Sequence, residues 1–168
     1  HWPDTIAHAA HVLQPRVLLT SVSFEPVSGM LDVTLTGGDD ATVHANGSAF
    51  EVLINGVADP ATGDASDVYM LTVNGDSGAN VIDLSGVTGA DFTGLSMVSV
   101  FGGDGDDTIT GSEFGDNLYG DAGADQLFGG DGFDYLMGGD GDDLLHGEGD
   151  SDSVSGGSGD DTLWSGSG

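Results

Sequence analysis

The chain has 168 residues, among them 31 glycines, 29 acidic residues and a single base, for a formal charge of −28. Nucleic acid and anionic membrane surfaces are poor partners for such a polyanion, and no apolar run approaches the ~18 residues of a membrane span. With no cysteine, disulfides and thiolate metal sites are excluded; with no initiator Met and no basic leader, His1 is expected to follow a processing or truncation point.

Residues 1–20 read as a cap. Ile6, Ala9, Ala10 and Leu13 recur at helical spacing, with Asp4 or Thr5 as N-cap and Pro15 as a stop, which predicts a short N-terminal helix. Such a helix would cover the first coil of a solenoid. His8 and His11 stand three apart on it, a spacing that suits a metal, but no third ligand is evident. Leu13-Gln14-Pro15-Arg16-Val17-Leu18-Leu19-Thr20 resembles the Leu-Glu-Pro-Arg-x-Leu-Leu-Ser motif near the N-terminus of exported proteins of planctomycete-type bacteria, departing at Gln14 and Thr20. That resemblance implies export and surface placement, and no chemistry. Arg16, the only base, is expected to pair with an acid.

Residues 21–101 read as an irregular β-domain or degenerate solenoid. Leu31–Thr36 alternates apolar and polar, and 37–43 reads as a degenerate loop followed by a strand. Phe50–Ile54 and Val68–Val73 are further strands, each followed by an Asn-Gly pair, Asn55-Gly56 and Asn74-Gly75, that signals a turn. Residues 75–83 form a nonapeptide with Asn80 in its acidic place, and 84–101 is one coil long without loop residues. Asp39, Asp40 and Asn80 are candidate metal ligands. Asn46-Gly47-Ser48 matches a glycosylation acceptor, a triplet that also arises by chance.

Residues 102–168 carry the strongest signal. Asp107, Asp116, Asp125, Asp134, Asp143, Asp152 and Asp161 fall nine residues apart. Two residues after each stands an aliphatic, from Ile109 to Leu163, and five before each a glycine, from Gly102 to Gly156. Seven units of G-G-x-G-x-D-x-U-x, U being aliphatic, thus fill 102–164, and Ser165–Gly168 begins an eighth. Glycines permit tight turns with carbonyls facing inward, the aspartate closes the loop, and the last three residues form a short strand with its aliphatic inward. Carboxylate and carbonyl oxygens are what Ca²⁺ prefers, usually six to eight of them. Two units make one coil, so a cation sits between loops of successive coils on one edge. Three gaps along one edge and two along the other give about five sites. Ser112, Phe114, Glu148 and Asp150 replace loop glycines, which weakens the sites that use those loops.

This repeat resembles the RTX calcium-binding nonapeptide family, strongly over 102–168 and weakly over 75–101. The resemblance implies an all-β fold, a right-handed parallel β-roll. It implies Ca²⁺ held by the seven aspartates together with backbone carbonyls, those of Gly103, Gly105, Gly123, Gly130, Gly132, Gly139, Gly141, Gly157 and Gly159. Because 102–168 holds 17 acids and no Lys or Arg, it is expected to stay largely disordered without calcium. Extracellular calcium modules bind in the ~0.1–1 mM range, so folding is expected outside the cell.

Outward places are not uniformly polar. Phe128, Leu144, His146 and Trp164 project on one face and Tyr119, Tyr135 and Met137 on the other, which suits β-propensity, lateral packing or carbohydrate stacking alike. There is no G-x-S-x-G elbow, no H-E-x-x-H helix and no cysteine nucleophile, so no enzyme is expected. The favoured reading is a secreted calcium-binding structural protein of a surface layer, matrix or head-to-tail fibre, with a glycan as a further candidate partner. The alternative is a calcium-dependent export and folding module of a larger secreted enzyme or adhesin.

Overall fold

The structure, a computed structural model, describes residues 21–26, 28–46, 48–59 and 63–167. The helix expected over 4–13, the histidine pair, Arg16 and the Leu-Gln-Pro-Arg segment lie outside the described residues, as does Gly47 of the glycosylation triplet.

The described chain is all-β and winds as a solenoid of two parallel sheets. Six coils each give one strand to each sheet. The first sheet takes β2 (Met30–Thr34), β6 (Met70–Asn74), β8 (Met97–Asp104), β10 (Asp116–Ala122), β12 (Tyr135–Asp140) and β14 (Ser153–Ser158). The second takes β3 (Ala41–Asn46), β7 (Val81–Gly86), β9 (Thr108–Thr110), β11 (Gln126–Gly130), β13 (Leu144–Glu148) and β15 (Thr162–Trp164). Antiparallel strands cover the amino-terminal edge of both sheets. β1 (Ser21–Glu25) pairs with β2, and β4 (Ala49–Ile54) pairs with β3 and with the short β5 (Val57–Ala58). Phe24 of β1 meets Phe50 of β4 edge-on at 5.1 Å, tying the two covers together.

Alternation of side chains along each strand decides what the solenoid buries. Val33, Val73, Val100, Leu118, Leu136 and Val154 are in register down one sheet. Ala41, Ile82, Ile109, Leu127, Leu145 and Leu163 are in register down the other. The interior is uneven. Eighteen of the twenty-three buried apolar side chains lie between Leu31 and Val100, because strands there bury two aliphatics each where the nonapeptide strands bury one. Each fully buried aliphatic stabilises by roughly 1.5–3 kcal/mol, so the two halves differ greatly in apolar support.

The two Asn-Gly pairs behave differently. Asn55 and Gly56 take φ of 51° and 72° and turn β4 into β5, as their residue types favour. Asn74-Gly75 makes no hairpin: β6 and β7 lie in different sheets, and Asn74 Nδ2 instead donates to Asp32 Oδ1 at 3.0 Å. Gly75 is required because a Cβ there would strike the carbonyl of Gly102 in the next coil.

Candidate metal centre

The nine-residue spacing places the repeat aspartates in two columns, one along each edge of the roll. Asp116 apart, each carboxylate turns its Oδ1 toward the coil before it. Asp107 Oδ1 accepts the Asn80 N–H at 2.7 Å, Asp125 Oδ1 the Asp107 N–H at 2.8 Å, Asp143 Oδ1 the Asp125 N–H at 2.8 Å and Asp161 Oδ1 the Asp143 N–H at 3.0 Å. On the other edge Asp134 Oδ1 accepts the Asp116 N–H at 2.9 Å, and Asp152 Oδ1 the Asp134 N–H at 3.0 Å. Every such bond reaches back one coil.

The second oxygen is left without a protein partner. Oδ2 of Asp107, Asp125, Asp134, Asp143 and Asp152 is buried and accepts no hydrogen bond among the described residues. An unpaired buried polar group costs roughly 1–3 kcal/mol, and more when charged. Five along one small roll mark a set of anionic oxygens arranged for a cation.

The glycines create the space. A Cβ on Gly102, Gly111, Gly120, Gly129, Gly138, Gly147 or Gly156 would collide with the Oδ2 of the aspartate five residues later. The nine glycines expected to lend carbonyls all sit at positive φ, from 104° at Gly103 to 146° at Gly123, a region L side chains rarely adopt. Among the described residues no three carboxylate or imidazole side chains converge. A site here therefore takes its few carboxylates from the aspartate columns and most of its oxygens from the main chain, a donor set that suits a hard cation such as Ca²⁺. Gly138→Ala is expected to displace Asp143 Oδ2, to lose one bound Ca²⁺ and to cost on the order of 3 kcal/mol in denaturant titrations run in calcium.

Three loops depart from the rule, in two ways. Asp121, Glu148 and Asp150 stand where glycines are expected, yet take left-handed φ of 75°, 72° and 54°, and Oδ2 of Asp125 and of Asp152 stays unpartnered. Ser112 changes its loop. Its N–H donates to Asp116 Oδ2 at 2.6 Å and its hydroxyl to Asp116 Oδ1 at 2.9 Å, so both carboxylate oxygens are engaged by protein. Beyond Asp152, a Cβ on Gly166 would meet its Oδ2 and the carbonyls of Glu148 and Asp150, so these three oxygens lie together at that edge. The identity of Ser112 was visible in the sequence; its bonds to Asp116 depend on a loop conformation that spacing does not reveal. Ser112→Ala should cost about 1–2 kcal/mol without changing the number of Ca²⁺ bound, as denaturation and equilibrium dialysis would show.

Burial sets the acidity of these groups. It pushes the carboxyls of Asp107, Asp116 and Asp125 up to about 6 and that of Asp134 up to about 7, and it also raises Asp143. The N–H bonds to Oδ1 pull the other way for Asp107, Asp125, Asp134 and Asp143, and neighbouring carboxylates add to the rise for these four.

Asp39, Asp40 and Asn80 are drawn together at the amino-terminal end of the first aspartate column. Asn80 Nδ2 donates to the Asp39 carbonyl at 2.7 Å and its Oδ1 accepts the Asp76 N–H at 3.1 Å. Asp39 Oδ1 accepts from Asn55 Nδ2 at 2.7 Å, and Asp40 Oδ1 accepts the Val81 N–H at 3.0 Å.

A roll of parallel sheets with glycine cradles and half-paired aspartates at its edges defines a cation-dependent β-roll. Residues 101–136 and 137–168 match the family model of the RTX calcium-binding nonapeptide repeat in four copies. This segment is an RTX repeat array, and its cofactor is Ca²⁺. No curated protein and no solved structure matches the chain. The matched motif is structural and not catalytic, and repeats of this kind typically occur in secreted proteins. No helix among the described residues is long and apolar enough to cross a membrane.

Proposed function

We propose that the chain is a secreted structural module that folds on meeting extracellular Ca²⁺ and serves in a surface layer or matrix. The observation that carries this reading is the five buried aspartate oxygens without a protein partner, each lying where only a glycine leaves room. Binding of Ca²⁺ there neutralises like charges and ties each coil to the next, which couples metal binding to folding. The ligands are Asp107, Asp125, Asp134, Asp143 and Asp152, completed by loop carbonyls, about five ions in all. Asp116 is tied to Ser112 and adds none; Asp161 contributes through the gap it shares with Asp143.

Assembly follows from the edges. The amino-terminal edges already pair with β1 and β4, so stacking of copies by simple continuation of parallel coils gains no support at that end. A glycan partner gains little from the outer faces, where rings spend their flat sides on one another. His146 lies between Phe128 at 5.6 Å and Trp164 at 4.0 Å, and Phe101 stacks on Tyr119 at 4.9 Å. Sedimentation of the chain in calcium and then in EGTA tests the proposal. The expected result is a compact particle in calcium that expands in EGTA. Unchanged hydrodynamic size in both would defeat it.

A further inference from the structure

The loops of residues 35–40 and 75–80 are joined to each other by protein groups. We propose that residues 21–101 form a metal-independent nucleus on which the calcium array winds coil by coil. This rests on the calcium reading above and adds that dependence on the ion begins at Asp107.

Three independent features support it. First, the loop of residues 35–40 is joined to that of 75–80 by donors that replace a cation. Asn80 occupies the aspartate place but presents an amide, whose Nδ2 reaches the Asp39 carbonyl at 2.7 Å. The Asp76 carboxylate gathers the N–H groups of Gly37, Gly38 and Gly78, the last two at 3.2 and 2.8 Å. Second, among the described residues the opposite edge has no glycine cradle closed by an aspartate before Gly111. The turn after β7 buries Val87, Phe92 and Leu95, filling with hydrocarbon the level where a cation cradle otherwise lies. Third, all five unpartnered carboxylate oxygens occur from Asp107 onward, whereas eighteen of the twenty-three buried apolar side chains precede it. Charge and apolar support are thus divided between the halves.

The junction is built for templating. Asn80 N–H donates to Asp107 Oδ1 at 2.7 Å, and β8 already pairs with β6. The nucleus therefore fixes the register and one aspartate oxygen of the first repeat before any ion binds. Loop closure for each later coil then starts from an ordered edge.

Hydrogen exchange of the whole chain, read by mass spectrometry in excess Ca²⁺ and in excess EGTA, tests this. The expected result is that amides of 21–101 stay protected in both, while those of 102–167 lose protection in EGTA. Asn80→Asp, which replaces a donor by an acceptor against the Asp39 carbonyl, should lower protection of 30–86 in EGTA by about tenfold or more. If 21–101 exchanged as freely as the repeats in EGTA, the nucleus would be refuted while calcium-driven folding stood. If the repeats stayed protected in EGTA, the calcium reading itself would fail, and with it the division of roles.

Discussion

Asp125→Asn is expected to destabilise the repeat half in calcium and to leave unchanged the transition in chelator, which only 21–101 sustains. The amide keeps an oxygen for the Asp107 N–H but turns an NH₂ toward the place of the cation. Loss of one site at a hundred times its Kd removes about 2.7 kcal/mol. Denaturant midpoints of both proteins in calcium and in EGTA check this. A destabilisation of equal size in both conditions would mean that Asp125 acts as an ordinary hydrogen-bonding loop residue.

The second large effect is a pH dependence whose sign changes with calcium. Folded-state carboxyls raised to about 6 and about 7 bind protons more tightly than the unfolded chain, whose carboxyls titrate near 3.8. Without calcium their contribution to stability is therefore fully present below about pH 3.8. It is lost as pH rises through 6 to 7. Ca²⁺ needs the ionised form, so in calcium the dependence runs the other way, and affinity falls as pH drops through the same window. The β circular-dichroism signal of the intact chain across pH 4–8 should therefore change with opposite slopes in the two conditions, rising toward low pH in EGTA and toward high pH in calcium. Parallel slopes would contradict the assignment of these carboxylates to the cation.

Much of this could be read from residues alone, and the reason is periodicity. Seven aspartates at one spacing leave no freedom in register, so their columns, the first-place glycines and the inward aliphatics from Ile109 to Leu145 follow directly, while Leu163 at the last coil is exposed. The strand around Leu31 and Val33 was legible for the same reason, since a half-buried strand must alternate. Features that depend on contacts distant in sequence were not. Nothing local to Ser21–Glu25 announces that it pairs antiparallel with β2 and covers an edge. Asn74-Gly75 has the composition of a hairpin turn, but the pairing of β6 with β2 and β8 decides its conformation instead. Asn80 and Ser112 depart visibly from the repeat, but what Asn80 bonds to emerges only when neighbouring coils stack, and what Ser112 bonds to only when its loop closes.

The most direct test of the account is circular dichroism of the intact chain as Ca²⁺ is titrated into EGTA-dialysed protein. The prediction is a cooperative gain of β signal over a residual β contribution from 21–101, saturating at about five ions and reversed by chelator. A spectrum and a melting temperature that stay the same from EGTA to saturating Ca²⁺ would show that hydrogen bonds and apolar packing alone sustain the roll.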